Sequence, residues 1–181
     1  KQGRISTRPM KGTIDASEQG AEEKLQNNTK ENAEHATVVD LLRNDLSLVA
    51  KQVRVTQYKY YEEIKAHHKT TGQLSSCIEG KLPDNYPEKI GQILQQLLPA
   101  GSISGAPKPK TKALIQNIEE SPRGFYTGIA GIFDGTDLDS CVMIRFLCED
   151  GTYRCGGGIT HLSDFEEEYN ELIQKIYVPI L

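Results

Sequence analysis

Four glutamates are the residues of this sequence best spaced for chemistry. Glu31 and Glu34 stand three apart in a helical run, and Glu168 and Glu171 repeat that spacing near the far end, with Lys175 four residues further on. A spacing of three places both carboxylates of a pair on one face of a helix. Two helices meeting along such faces present hard oxygen donors to a divalent cation. Mg²⁺, which takes one or two carboxylates together with water and a substrate anion, suits the set. The alternative is two solvated acidic faces, since the run EEE at 166–168 makes such a pair easy to find by chance. Arg145 lies in the apolar stretch VMIRFL. A buried strand does not tolerate an unpaired guanidinium, so Arg145 is expected to meet either an internal carboxylate or an anionic ligand. Lys11 stands in RPMKGT, ahead of Gly12 and Thr13. Its amine is a nucleophile only when neutral, which requires burial or a cationic neighbour to lower its pKa; an exposed lysine is the plainer reading.

Two glycine runs add backbone chemistry. GSISGAPK, which contains Ser102, precedes a helix and can hold an anion on its N–H groups. CGGGI, residues 155–159, ends a strand in three glycines, where a ligand can approach the backbone closely. Each run is equally well read as a tight turn, and neither matches a phosphate loop or a dinucleotide fingerprint. Cys77, Cys141, Cys148 and Cys155 form no CxxC pair. The last three recur every seven residues, which fits reduced thiols on strands better than a metal site.

The elements that must position these groups follow from pattern. GRISTRPM reads as a strand ending at Pro9, GTID as a turn, and Ser17 as a cap for a helix running to about Ala50. That helix is polar in its first part and weakened at Asn27, Asn28 and Thr29. Its second part has apolar residues at 38, 39, 41, 42, 46 and 49, the period of a helix buried on one face. QVRVTQYKYY and QLSSCIEGKL read as strands, and YPEKIGQILQQLL as an amphipathic helix stopped by Pro99 and Gly101. GSISGAPKPK is expected as loop and KTKALIQNIEES as helix. FYTGIAGIF and SCVMIRFLC pair across DGTD, and EDGT turns into YRCGGGI with Asp150-Gly151 as the turn signal. A capped helix over SDFEEEYNELIQKIYVPI closes the sequence. The fold class is α+β, antiparallel sheet with helices on its outer faces.

The chain of 181 residues is enough for one domain with a core of its own, and its 37% hydrophobic and 25% charged residues are ordinary for a globular protein. A net charge of −4 leaves no basic excess for nucleic acid. No apolar run suits a membrane span, and no signal peptide is seen. The first residue is Lys, so the sequence is expected to be part of a longer chain.

RPMKGT, AEHATVVDLLRNDL, GSISGAPK, PRGFYTGIAGIF and CGGGITHLSDFEEEYNEL, in this order, resemble the chorismate-utilising enzymes over essentially the whole sequence. That family includes synthase subunits for aminodeoxychorismate and anthranilate, and the isochorismate and salicylate synthases. The resemblance implies two stacked antiparallel sheets with helices outside and chorismate bound with Mg²⁺ in a cleft. By motif, Glu34 and Glu171 would be the main Mg²⁺ ligands, with Glu31 and Glu168 holding the metal's waters or joining directly. Gly12, Thr13, Ser102, Tyr126, Arg145, Gly156, Gly158 and Lys175 would bind the substrate's carboxylates.

Lys11 selects a branch within the family. PMKGT is similar to the PIKGT of aminodeoxychorismate synthases, where the anthranilate and salicylate enzymes carry a small residue. The implied activity is component I of aminodeoxychorismate synthase, with Lys11 as covalent catalyst, ammonia from a glutamine amidotransferase and a place in para-aminobenzoate and folate synthesis. Anthranilate synthase and a non-catalytic binding domain are the alternatives. Where relatives often carry a histidine, this sequence has Gln73, with His67 and His68 upstream. The family's domain is longer, so residues 1–181 are expected to be its C-terminal portion, without the half that supplies the general-acid glutamate. Such a portion should be cytoplasmic, inactive alone and prone to self-association through open sheet edges.

Overall fold

In a computed structural model of the chain, residues 1–65, 70–161 and 163–176 are described. Strand β4 (Thr70–Lys81) is the centre of the largest sheet. On one side it pairs antiparallel with β1 (Arg4–Thr7) and β2 (Met10–Asp15), which follow one another in line; on the other it pairs with β3 (Lys51–Lys65). With neighbours on both sides, Leu74, Ser75, Ser76, Cys77 and Ile78 of β4 are all buried.

Helices α1 (Ala21–Asn27) and α2 (Thr29–Val49) are the two parts of the long helical run. The break falls in the polar segment expected to be weak, and Asn28 turns it into a start signal. Its backbone is extended, and its side chain accepts the Glu31 N–H at 3.1 Å. Val39, Leu42 and Leu46 of α2 form the main core cluster with Ile78. A second cluster joins Leu82, just after β4, with Tyr86 of the 3₁₀ turn Tyr86–Lys89 and Ile93 of α3 (Ile90–Leu97).

Beyond these lie α4 (Gly101–Ser104), α5 (Lys108–Ile118), the hairpin β5 (Ile129–Phe133)–β6 (Leu138–Val142), the hairpin β7 (Phe146–Leu147)–β8 (Tyr153–Arg154) and α6 (Phe165–Gln174). All strand pairing among the described residues is antiparallel, as the α+β expectation required. The second sheet implied by the resemblance is present as two separate hairpins.

Four local expectations are corrected. GTID is strand, not turn, because β4 offers a partner, with Thr13, Ile14 and Asp15 opposite Gln73, Gly72 and Thr71. Ser17 caps nothing: its N–H and hydroxyl both donate to Asp15 Oδ1, and α1 starts after Gly20 without a side-chain cap. Part of the GSISGAPKPK loop is the helical turn α4. Finally, SCVMIRFLC is not one strand. Thr127, at φ +64°, still donates its N–H to the Met143 carbonyl at 2.8 Å and then turns the partner chain away, so the ladder stops at that bond. Arg145 therefore lies in an exposed bend between β6 and β7, not in a buried strand.

Candidate functional site

Lys11 and Gly12 sit in a β-bulge, a register break in β2 between Met10 and Thr13. A bulge takes residues out of the ladder and re-aims their side chains. Gly12 has φ +90°, and a Cβ there would meet Leu25 at 3.2 Å and Glu31 Oε2 at 3.3 Å, so only glycine fits. The bulge faces the first turns of α2. Lys11 Nζ lies 2.6 Å from Glu34 Oε2 and 3.9 Å from Glu31 Oε2. The i,i+3 spacing thus turns both carboxylates toward Lys11.

The electrostatics of Lys11 run against the expectation for a nucleophile. Burial alone would lower its pKa, but the hydrogen bond to Glu34 and the charges of Glu31, Glu34 and Glu171 outweigh that and raise it. The neighbours are anions rather than the cation expected. Glu31 is pushed up, first by burial and then by Glu34 and Glu171, against the pull of Lys11. Its Oε2 is buried without a hydrogen-bond partner among the described residues.

Helix α6 brings the second pair. Asp164 caps it, accepting the N–H groups of Glu166 and Glu167. Lys30 Nζ bridges from α2 to Glu167 Oε2 at 3.3 Å and Glu168 Oε1 at 3.8 Å, and Glu168 also accepts from Ser163 Oγ at 2.7 Å. Glu171 pairs with Lys175 at 2.5 Å. Burial works to raise Glu171, but this lysine outweighs it and holds the carboxyl below its usual range.

The Lys175 ammonium also donates to the Gly156 carbonyl at 3.4 Å. A Cβ on Gly156 would overlap the Tyr126 hydroxyl, so the group that approaches this glycine closely is a side chain of the protein itself. Burial raises the Tyr126 phenol. Its ring lies under the Arg123 guanidinium, 5.4 Å from ring centroid to Cζ, and Arg123 is itself bonded to Glu119.

Lys11, Gly12, Glu31, Glu34, Glu168, Glu171, Tyr126, Gly156 and Lys175 therefore fall into two linked groups on α2, β2, α6 and the CGGGI strand end. Thr13 and Ser102 are exposed, on β2 and α4; Gly158 has open space around it; Arg145 is exposed with no hydrogen bond or ion pair to a described residue. Gln73 stands opposite Thr13 with its Oε1 buried and without a partner among the described residues. His67 and His68 lie outside the described residues. The donors suit a hard divalent cation: they are carboxylate oxygens, and one of them, Glu31 Oε2, is desolvated and open. No three metal-type side chains among the described residues stand close enough to enclose an ion. A cation that keeps much of its water needs only one or two of them.

Two supporting residues escaped the sequence reading. His35 is fully buried behind Lys11, with Nε2 2.7 Å from Ser76 Oγ, and burial lowers its pKa. Asp45, also buried, accepts the Gly101 N–H at 2.6 Å and pairs with Lys108 at 2.7 Å, fixing α4 and the start of α5 against α2. Both lie on the apolar stripe of α2 with Val39, Leu42 and Leu46, and a polar residue in core phase was the available signal.

Comparison with known proteins gives a single picture. A family model described as chorismate binding enzyme matches residues 1–180. An uncharacterised PabA-like protein of Pasteurella multocida is 54% identical over 97% of this chain and 55% of its own length. Anthranilate synthase component 1 of Haloarcula marismortui is 36% identical over 95% of this chain and 36% of its own. The crystal structure of anthranilate synthase component I from Streptococcus pneumoniae superposes with a TM-score of 0.78 at 31% identity, covering 97% of this chain and 39% of that one. The chain thus spans about half the length, or less, of the relatives it matches.

Proposed function

Because the chain belongs to the family of chorismate binding enzymes, we propose that it is part of component I of an aminodeoxychorismate synthase, with Lys11 as its covalent catalyst. The observation that carries this reading is the β2 bulge, which sets the Lys11 amine against Glu31 and Glu34 on α2. A nucleophile and the carboxylates that would hold Mg²⁺ thereby share one place, and position 11 holds lysine, not the small residue of the anthranilate branch.

In the proposed reaction the free amine of Lys11 bonds to C2 of chorismate as the C4 hydroxyl leaves with a proton from a general acid. Ammonia from a glutamine amidotransferase then bonds to C4 and expels the lysine from C2, giving 4-amino-4-deoxychorismate and the free amine. Glu34 and Glu171, supported by Glu31 and Glu168, would hold the Mg²⁺, whose positive charge, when bound, offsets the ring carboxylate of the substrate. Chorismate is a dianion, so Lys175, the Gly156 and Gly158 backbone, Tyr126, Thr13, Ser102 and Arg145 are assigned to its carboxylates. Lys11 stands in the structure as an ammonium clamped to Glu34, and it must leave that pair and lose its proton before it can attack.

Replacing Lys11 by Ala in the complete subunit, assayed with chorismate, Mg²⁺ and ammonia, should abolish aminodeoxychorismate formation. Unchanged formation would remove the covalent role. The anthranilate synthase relatives support a second reading, in which pyruvate is also eliminated. Mass and fluorescence of the product separate anthranilate from aminodeoxychorismate.

A further inference from the structure

The carboxylates assigned to the cation already carry cations of the protein. Lys11 Nζ is 2.6 Å from Glu34, Lys30 Nζ is 3.8 Å from Glu168, and Lys175 Nζ is 2.5 Å from Glu171. The three lysines are not equivalent. Lys175 is an i,i+4 partner within the last turn of α6 and also bonds the Gly156 carbonyl. Lys30 is nearer to Glu167, an exposed glutamate outside the assigned set. Among the three, Lys11 reaches both acids of the α2 pair, and it does so at a largely buried carboxylate, with 28% of its own side chain exposed and 13% of that of Glu34, against 43% for the Glu171 held by Lys175. An ammonium and a metal ion compete for the same Glu34 oxygen and repel each other as like charges, so a cation seated there weakens the hold on Lys11.

Resting on the Mg²⁺ reading above, we infer that Lys11 is the resident counter-ion of the Glu31–Glu34 pair, and that a divalent cation entering this pair displaces the Lys11 ammonium and releases the side chain. Two features make the displacement easy. The lysine stem turns about four bonds, so the amine swings away without backbone movement. The bulge keeps Lys11 out of the β2–β4 ladder, so its release costs no strand hydrogen bond. Glu31 Oε2 offers the entering ion a desolvated oxygen with no hydrogen bond to break among the described residues. The same lysine would then neutralise the acids before the metal arrives and, once displaced, stand free as an ammonium that can give up its proton to water.

The test is Mg²⁺ affinity, measured by calorimetry on the full chain as wild type, Lys11→Met, Lys30→Met and Glu34→Gln, each with an unchanged circular dichroism spectrum. Lys11→Met keeps the stem and removes the charge. Displacement predicts that it binds Mg²⁺ roughly tenfold more tightly than wild type, the effect of deleting one competing ion pair. Lys30→Met should change affinity less, and Glu34→Gln should lose binding. If wild type binds Mg²⁺, Glu34→Gln does not, and Lys11→Met binds no more tightly, the metal reading stands and the displacement is wrong. If no variant binds Mg²⁺, both fall. A second measurement is independent of affinity: with lysines ¹³C-methylated, the NMR resonance missing in Lys11→Met should move as Mg²⁺ is added to wild type. A resonance that stays in place while the metal binds overturns the inference.

Discussion

Gly12 shows how narrowly the site is fixed at single positions. Its positive φ strains any residue with a Cβ, and the 3.3 Å approach to Glu31 would force that side chain to shift, so Gly12→Ala should cost about 1–3 kcal/mol in denaturant unfolding. An unchanged midpoint would show that β2 adjusts freely. Glu119 and Arg123 support Tyr126 in a different way. The Arg123 hydrogen bond holds the Glu119 carboxyl below its ordinary value of 4.5. A depressed folded pKa means the pair stabilises the protein above that pH and is lost as pH falls through the folded value. Glu119→Gln should therefore flatten the decline in stability below about pH 4.5, by no more than about 0.2–1 kcal/mol for so exposed a pair. An identical acid limb in the variant would show that the pair contributes nothing. The shared face of Glu31 and Glu34 was legible in the sequence because a spacing of three is local; that Lys11 meets it was not, since only the β2 bulge brings residue 11 there. Arg145 was misread because an apolar neighbourhood was taken for a paired strand, and pairing depends on a partner that Thr127 turns away.

At the scale of elements, α2 organises the site. Its first turn presents Glu31, its middle packs on Ile78, and Asp45 near its end anchors α4. Asp45→Ala should cost about 1.5–3 kcal/mol, since it removes a charged acceptor from both the Gly101 N–H and Lys108. Asp45→Asn should cost less, because it keeps an acceptor, and a larger loss for Asn than for Ala would refute this anchoring. The helices and the long strands could be read from periodicity alone, including the break at Asn28. Helix α4 could not: it is held by a carboxylate 56 residues away, and local pattern carries no trace of such a bond. The GTID strand was missed for the same reason, since Gly12 signals a turn locally and only β4 makes it a bulge.

At the scale of the molecule, apolar residues crowd the surface. Ile118, Phe125, Ile132, Ile159 and Phe165 are each 75–79% exposed, mostly beyond the β4 sheet. Surface of this kind favours association, so the purified chain should self-associate; a monodisperse monomer by light scattering at high concentration would contradict this. No helix among the described residues is long and apolar enough to cross a membrane. The β2 bulge has a further consequence at this scale. Because residue 11 lies in a register break, the pairing of β2 with β4 makes no demand on its side chain. The sheet is a fixture with an interchangeable tool: lysine there can give way to a small residue while every strand keeps its partner. A change of reaction at this position would then need one codon and no new fold.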